Sequence, residues 1–148
     1  LVPADDAETL VVQCLLRNKN KIVSYKHAGQ NSDLDKKGID IVIEKIIKKF
    51  KRPISLDFQI KTSDDETTIG VILPLPDPLP AALAGRLSGR KLGIIEKHRK
   101  KHSQVPCILF VGRITGRNKL NKVLDEIWRE INKLFRMAAW REFRSKFQ

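Results

Sequence analysis

Gly38-Ile39-Asp40-Ile41-Val42-Ile43-Glu44 is followed, after the basic link Lys45 to Pro53, by Ile54-Ser55-Leu56-Asp57-Phe58-Gln59-Ile60-Lys61. In the first stretch Ile39, Ile41 and Ile43 alternate with Asp40, Val42 and Glu44. In the second, Leu56, Phe58 and Ile60 alternate with Asp57, Gln59 and Lys61. A period of two predicts strands, each with one aliphatic face and one face bearing polar groups. Paired as a hairpin, the two strands bring Asp40, Gln59 and Lys61 to one edge of a sheet.

The flanking sequence supplies the rest of a mixed architecture. Pro3 to Arg17 reads as a helix: a first-turn proline is tolerated, and Asp5, Asp6 and Glu8 suit its positive N-terminal end. Ala7, Leu10, Val11, Cys14 and Leu15 form its buried stripe. Lys21 to Lys26 predicts a short strand, and Ala28 to Lys37 a loop. A further strand, Thr67 to Leu73, follows the acidic turn Ser63-Asp64-Asp65-Glu66 and extends an antiparallel meander.

Pro74 to Pro80 is a rigid connector. Ala81 to Leu87 and Ile94 to His102 follow as helices, and Val105 to Ile114 as a strand whose apolar run Cys107-Ile108-Leu109-Phe110-Val111 suits burial on both faces. Asn118 is placed to cap a long final helix in which Leu120, Leu124, Ile127, Ile131, Leu134 and Phe135 recur at helical spacing. The order predicts an α/β fold: a central mixed sheet, antiparallel meander plus one buried strand, flanked by helices.

A chain of 148 residues, 41% hydrophobic, has material for one domain with a core. No apolar run reaches the length of a membrane helix, and no signal stretch opens the chain. Cys14 and Cys107 form neither a disulfide framework nor a metal cluster, and His27, His98 and His102 lack zinc spacing with them. A cytoplasmic protein is expected. The charge is uneven. Residues 1–85 balance 12 basic against 12 acidic side chains, whereas residues 86–148 hold 17 against 5 and so carry the whole net charge of +12. Such a surface expects a polyanion, with nucleic acid ahead of an anionic membrane.

The chemistry concentrates where the two strands meet. The carboxylate of Asp40 suits Mg²⁺, a hard cation that prefers oxygen ligands and retains waters. The Gln59 amide oxygen and the backbone carbonyl of Ile60 can add ligands. Lys61 is close enough to polarise a water or stabilise developing negative charge.

Gly38-Ile39-Asp40, a spacer, then Leu56-Asp57-Phe58-Gln59-Ile60-Lys61 resembles the PD-(D/E)XK nuclease superfamily, over roughly residues 3–114. The resemblance implies a restriction-endonuclease-like core that hydrolyses phosphodiesters with Mg²⁺, or Mn²⁺ as substitute. It makes Asp40 the central metal ligand, Gln59 the second ligand and Lys61 the catalytic lysine. Glu8 matches the helix acid that some members, junction resolvases among them, add to the metal site. Gln59 stands where most members carry an acid, which increases dependence on another carboxylate, Glu8 first and Asp57 second.

Three basic stretches stand out, Lys45 to Arg52 at the hairpin tip, Arg86 to Lys101, and the tail from Arg113; the candidates for DNA contact are Lys45, Lys48, Lys49, Lys51, Arg52, Arg86, Arg90, Lys91, Lys97, Arg99, Lys100 and Lys101, with His98 and His102 facing phosphate among them. The tip either enters the major groove or is an ordinary solvated hairpin end. The resulting expectation is one nuclease domain, its catalytic core about 3–114 and a basic helical extension about 118–148. It is a Mg²⁺-dependent, site-specific double-strand DNA endonuclease of homing or restriction-like type. Alternatives are a structure-selective junction resolvase and a non-catalytic DNA-binding protein with a decayed site. Cutting both strands calls for a homodimer or larger symmetric oligomer, with the apolar stripe of residues 120–135 as its expected interface.

Overall fold

The computed structural model describes residues 6–29 and 32–146, so the expectations for Pro3 and Asp5 lie outside the described residues. Strands β1 (Ser24–His27), β2 (Ile41–Ile47), β3 (Arg52–Thr62), β4 (Ile69–Ile72) and β5 (Cys107–Val111) form one sheet in the order β1-β2-β3-β5-β4. The two alternating stretches pair antiparallel as expected, with Ile41 opposite Phe58 and Ile43 opposite Leu56, and these side chains are buried together on one face. The hairpin turns through Lys51, whose φ of 52° is left-handed.

β4 does not continue the meander beyond β3. The wholly apolar β5 lies between them, parallel to β3 with Phe58 opposite Cys107, and antiparallel to β4 with Ile69 opposite Phe110. A parallel neighbour needs a crossover, and the helix preceding β5 provides it. The central position, shielded on both faces, is the one that five buried apolar residues can occupy without a polar cost.

Helix α1 (Ala7–Arg17) is capped by Asp6, whose carboxylate accepts the N–H of Thr9 at 2.9 Å. A 3-10 turn over Lys19–Lys21 delays β1 past its expected start. The loop before β2 contains a short helix α2 (Asp33–Lys36), capped by Ser32. After the Pro-rich connector come α3 (Ala81–Ala84) and α4 (Gly89–Lys101). α4 starts five residues before the expected Ile94, because Ser88 caps it by accepting the N–H of Lys91 at 3.1 Å. Its two glycines, Gly89 and Gly93, sit on the exposed side.

The last helix, α5 (Leu120–Ser145), begins after Lys119 and has no side-chain cap. Asn118 instead commits its amide to the carbonyls of Arg113 at 2.7 Å and Glu66 at 3.1 Å, tying the exit of β5 to the β3–β4 loop. α5 is not an extension of a finished core. Together with α1 it covers one face of the sheet, where Val123, Leu124, Ile127, Ile131, Leu134 and Phe135 pack with Leu10, Leu15, Phe58 and Leu109. The stripe expected to join two copies is therefore consumed inside one protomer, since the apolar faces of β2, β3 and β5 need that cover. Gly70 permits the close approach: a Cβ there would lie 2.7 Å from a Leu134 methyl.

The other face is covered by α4, α3 and the connector through Ile69, Val71, Leu87, Ile95, Ile108 and Phe110. Among the described residues, no helix is long and apolar enough to cross a membrane. Cys14 and Cys107 are buried and unbridged, and burial pushes both thiols up to about 12.

Candidate functional site

Asp40 stands at the entrance of β2 and is locked to β3 twice. Its N–H donates to the carbonyl of Phe58 at 2.8 Å, and its Oδ2 accepts the N–H of Ile60 at 2.7 Å. The approach to it is equally fixed: Ile39 donates to the carbonyl of Leu34 at 2.9 Å, and Gly38 turns the chain at a φ of 82°. That conformation is cheap for glycine and strained for other residues. The Gly-Ile-Asp order thus makes a turn, a core anchor and an aimed carboxylate.

The surroundings of Asp40 raise its carboxyl above the usual aspartate value. Burial is the main cause; the Ile60 hydrogen bond opposes it, repulsion from Glu8 adds to it, Lys61 offsets it, and Asp35 adds again. Glu8 on α1 and Lys61 on β3 are therefore both within electrostatic reach of Asp40, which immediately precedes β2. These are three of the four residues expected at the catalytic centre. Glu8 also has a neighbour that sequence spacing missed: His27 on β1 places Nε2 3.0 Å from its Oε1. His27 sits opposite Ile41, next to Asp40 in chain direction, and only the strand register reveals that proximity.

Gln59, the fourth residue, packs against α4. Its Oε1 lies 2.7 Å from Nδ1 of His98, and its Nε2 donates to the carbonyl of Gly38 at 3.4 Å. His98 is only 3% exposed, with its Nε2 donating to the carbonyl of Val105 at 3.0 Å. The expectation of a phosphate-facing His98 is corrected here, because α4 turns this position inward between charged neighbours that point out. His102, one turn later, is 5.6 Å from His98 ring to ring, and burial is the first cause lowering its pKa. Asp57 is also pushed up by burial, with Lys37 opposing.

The donor set fits Mg²⁺ in kind. Asp40, Glu8, the Gln59 amide and the Ile60 carbonyl offer oxygens only, and a carboxylate destabilised by burial and by neighbouring carboxylates is one that a cation relieves. The set is poor in charge. Among the described residues no three His, Cys, Asp or Glu side chains gather to hold a metal ion. A cation here would rely on Gln59, backbone and water.

The basic candidates divide by partner. Lys91 is 1% exposed and binds Asp64 at 2.7 Å and Asp65 at 3.2 Å, so it anchors α4 to the β3–β4 loop and cannot meet phosphate. Arg86 donates to the Thr68 carbonyl at 2.9 Å. Arg99 and Lys100 lean on Glu96, at 2.7 and 3.8 Å, which softens the expected repulsion in this run. Arg90, Lys97 and Lys101 are exposed.

At the hairpin, Phe50 packs against Trp140 and Phe143, and Arg52 pairs with Glu142 at 2.7 Å. The tip is thereby held on α5. Lys49 lies 4.3 Å over the Trp140 ring, and Lys45 5.9 Å over Trp128. Lys45 shares a groove of 660 Å³ with Lys21, Lys48 and Arg136. Burial first, then those three cations, lower its pKa. Lys48 and Lys51 are exposed.

No protein-family model matches the chain, and neither a curated protein nor a solved structure matches it.

Proposed function

We propose that the chain is a Mg²⁺-dependent DNA endonuclease with a PD-(D/E)XK-type, restriction-endonuclease-like core, cutting duplex DNA at specific sites. The observation that carries this reading is the lock of Asp40 onto the N–H of Ile60, the residue between Gln59 and Lys61, with Lys61 and Glu8 within electrostatic reach. An α/β sheet in which a hairpin bears these groups and a helical crossover returns a parallel strand beside it supports the same reading.

Asp40, with Glu8, Gln59 and the Ile60 carbonyl, would hold the ion. When bound, Mg²⁺ supplies a polarised water and neutralises charge on the phosphate. Asp40 is pre-aimed by its bond to Ile60, so little reorganisation is needed at the moment of reaction. Lys61 would stabilise the negative charge developing on the phosphate or polarise the attacking water. The exposed Arg90 in the first turn of α4 and Lys97 and Lys101 in its last turns, together with Lys48 and Lys51, supply sequence-independent attraction to the backbone. A symmetric oligomer delivers the two cuts of a double-strand break.

The test incubates the protein with mixed plasmid and genomic DNA in Mg²⁺ and in Mn²⁺. Discrete fragments are expected. A preference for four-way junctions moves the reading to a resolvase, and preference for RNA moves it to a ribonuclease. Binding without cleavage in either metal overturns the enzyme and leaves a DNA-binding module, a result the charge-poor donor set would then explain.

A further inference from the structure

We infer that the groove between the entry to β1, the hairpin end of β2 and α5 binds single-stranded nucleic acid, its phosphates on Lys21, Lys45, Lys48 and Arg136 and a base against Trp128. The groove, 660 Å³ in volume, contains none of Glu8, Asp40, Gln59 and Lys61, so the inference does not rest on the nuclease reading.

Its charge is the first argument. Elsewhere in this molecule cations at packed positions find acids: Lys91 has Asp64 and Asp65, and Arg52 has Glu142. The cavity of 320 Å³ before β4 sets Arg86, Lys122 and Arg129 among Glu66, Glu126 and Glu130. In the groove no acid is part of the lining, and among the described residues none of its four cations forms a salt bridge. The four come from separate segments and converge, and Lys45 feels the other three as repulsion. A bound polyanion relieves that repulsion.

The apolar surface beside these cations is the second argument. Val23 and Ile46, 49% and 53% exposed, line the same groove with the half-buried Trp128. Duplex DNA presents phosphates and keeps its bases stacked inside, whereas a single strand presents both. Cations interleaved with aliphatic and aromatic surface match the single strand. Asn20 and Asn132 add amide donors and acceptors for base edges. Lys45 stands 5.9 Å from the Trp128 centroid, at the outer reach of a cation–π contact, so turning to a phosphate costs it little and frees the ring.

The test titrates the protein with a short oligothymidylate in EDTA, so that no cleavage intervenes. Of the two tryptophans, Trp128 should report: fluorescence is quenched in Trp140→Phe and not in Trp128→Phe. Trp128→Leu should weaken binding at least about 5-fold, the lower end for loss of one stacked base. Lys21→Gln with Arg136→Gln, both exposed, should flatten the slope of log K against log salt by about 1.4, at about 0.7 per single-strand phosphate. An unchanged slope overturns the inference. So does equal or tighter binding of an abasic oligomer or a duplex, or equal quenching of Trp128 by polyglutamate or by phosphatidylserine vesicles. Oligomer binding by a protein that cuts no DNA removes the nuclease and leaves the groove; cutting by a protein whose Trp128 is never quenched does the reverse.

Discussion

The imidazole of His102 occupies the space in which a Cβ on Gly38 would sit, 2.4 Å from its ring carbon, and Gly38 itself holds a φ of 82°. The C-terminal end of α4 thus closes over the turn that aims Asp40. Gly38→Ala meets two penalties: a left-handed conformation that costs an L-residue about 1–2 kcal/mol, and displacement of His102. Urea denaturation should show a loss of about 2 kcal/mol or more. The same variant should lose cleavage beyond its loss of stability, because the Gly38 carbonyl also holds Gln59.

Asp40→Asn and Lys61→Ala should each lower Mg²⁺-dependent cleavage by at least about 100-fold, the scale at which a single preorganised charge acts. DNA affinity measured without cleavage should change little, since neither residue lies in a basic stretch. Full activity in either variant removes that residue from the site. Asp40→Asn should also raise the melting temperature at neutral pH. The carboxyl of Asp40 is pushed up in the fold, so its stabilising contribution is present at acid pH and is lost as pH rises through its folded pKa. The neutral amide keeps an acceptor for Ile60 and removes that charge.

Much of this site could be read from strand phase alone. The alternation through Asp40 and through Gln59 and Lys61 gave the shared face, because a hairpin leaves little freedom once one face is buried. What could not be read was tertiary. Lys91 and His98 sit in a helix crowded with cations, and composition assigns both to the surface. Burial goes instead by helical spacing from Leu87 and Ile95, and each buried polar group found its partner on a distant segment: Asp64 for Lys91, Val105 and Gln59 for His98. The place of β5 between β3 and β4 was hidden for the same reason, since apolar runs state that they are buried but not between which neighbours.

The Lys91 anchor gives the fold an acid-sensitive seam. Hydrogen bonds from Lys91 and Ser88 hold the Asp64 carboxyl down at about 2 from an ordinary 3.8. A depressed carboxylate stabilises above its unfolded pKa and loses that contribution as pH falls through the folded one. Stability should therefore decline between about pH 4 and pH 2, and Lys91→Met should flatten that decline while lowering stability at neutral pH. An acid limb of the same slope in Lys91→Met would assign the decline to other carboxylates.

The hairpin tip is held on α5 by an aromatic contact as well as by charge. Phe50 and Trp140 meet edge to face at 5.6 Å between centroids, and such pairs contribute about 0.5–1.5 kcal/mol beyond their buried area. A double-mutant cycle with Phe50→Leu and Trp140→Leu should return a coupling energy in that range. Absence of coupling would mean that the tip is held by its other contacts with α5, Phe50 on Phe143 and Arg52 with Glu142 among them.

If the chain binds DNA as proposed, salt dependence separates the cations that meet phosphate from those that serve the fold. Lys97 and Lys101 are exposed at the end of α4 that also carries His98 and His102, and no salt bridge pairs either with an acid among the described residues. Each phosphate contact contributes about 0.9 to the slope of log K against log salt. Lys97→Ala with Lys101→Ala should therefore flatten the slope by nearly 2 if both meet phosphate. Arg99→Ala should change it less, because that guanidinium is already bidentate to Glu96 at 3.1 and 2.7 Å. Measuring both variants from low to moderate salt sets these expectations against one another. An unchanged slope in the double variant would place the DNA away from α4 and turn attention to the cationic groove around Lys45 and Arg136.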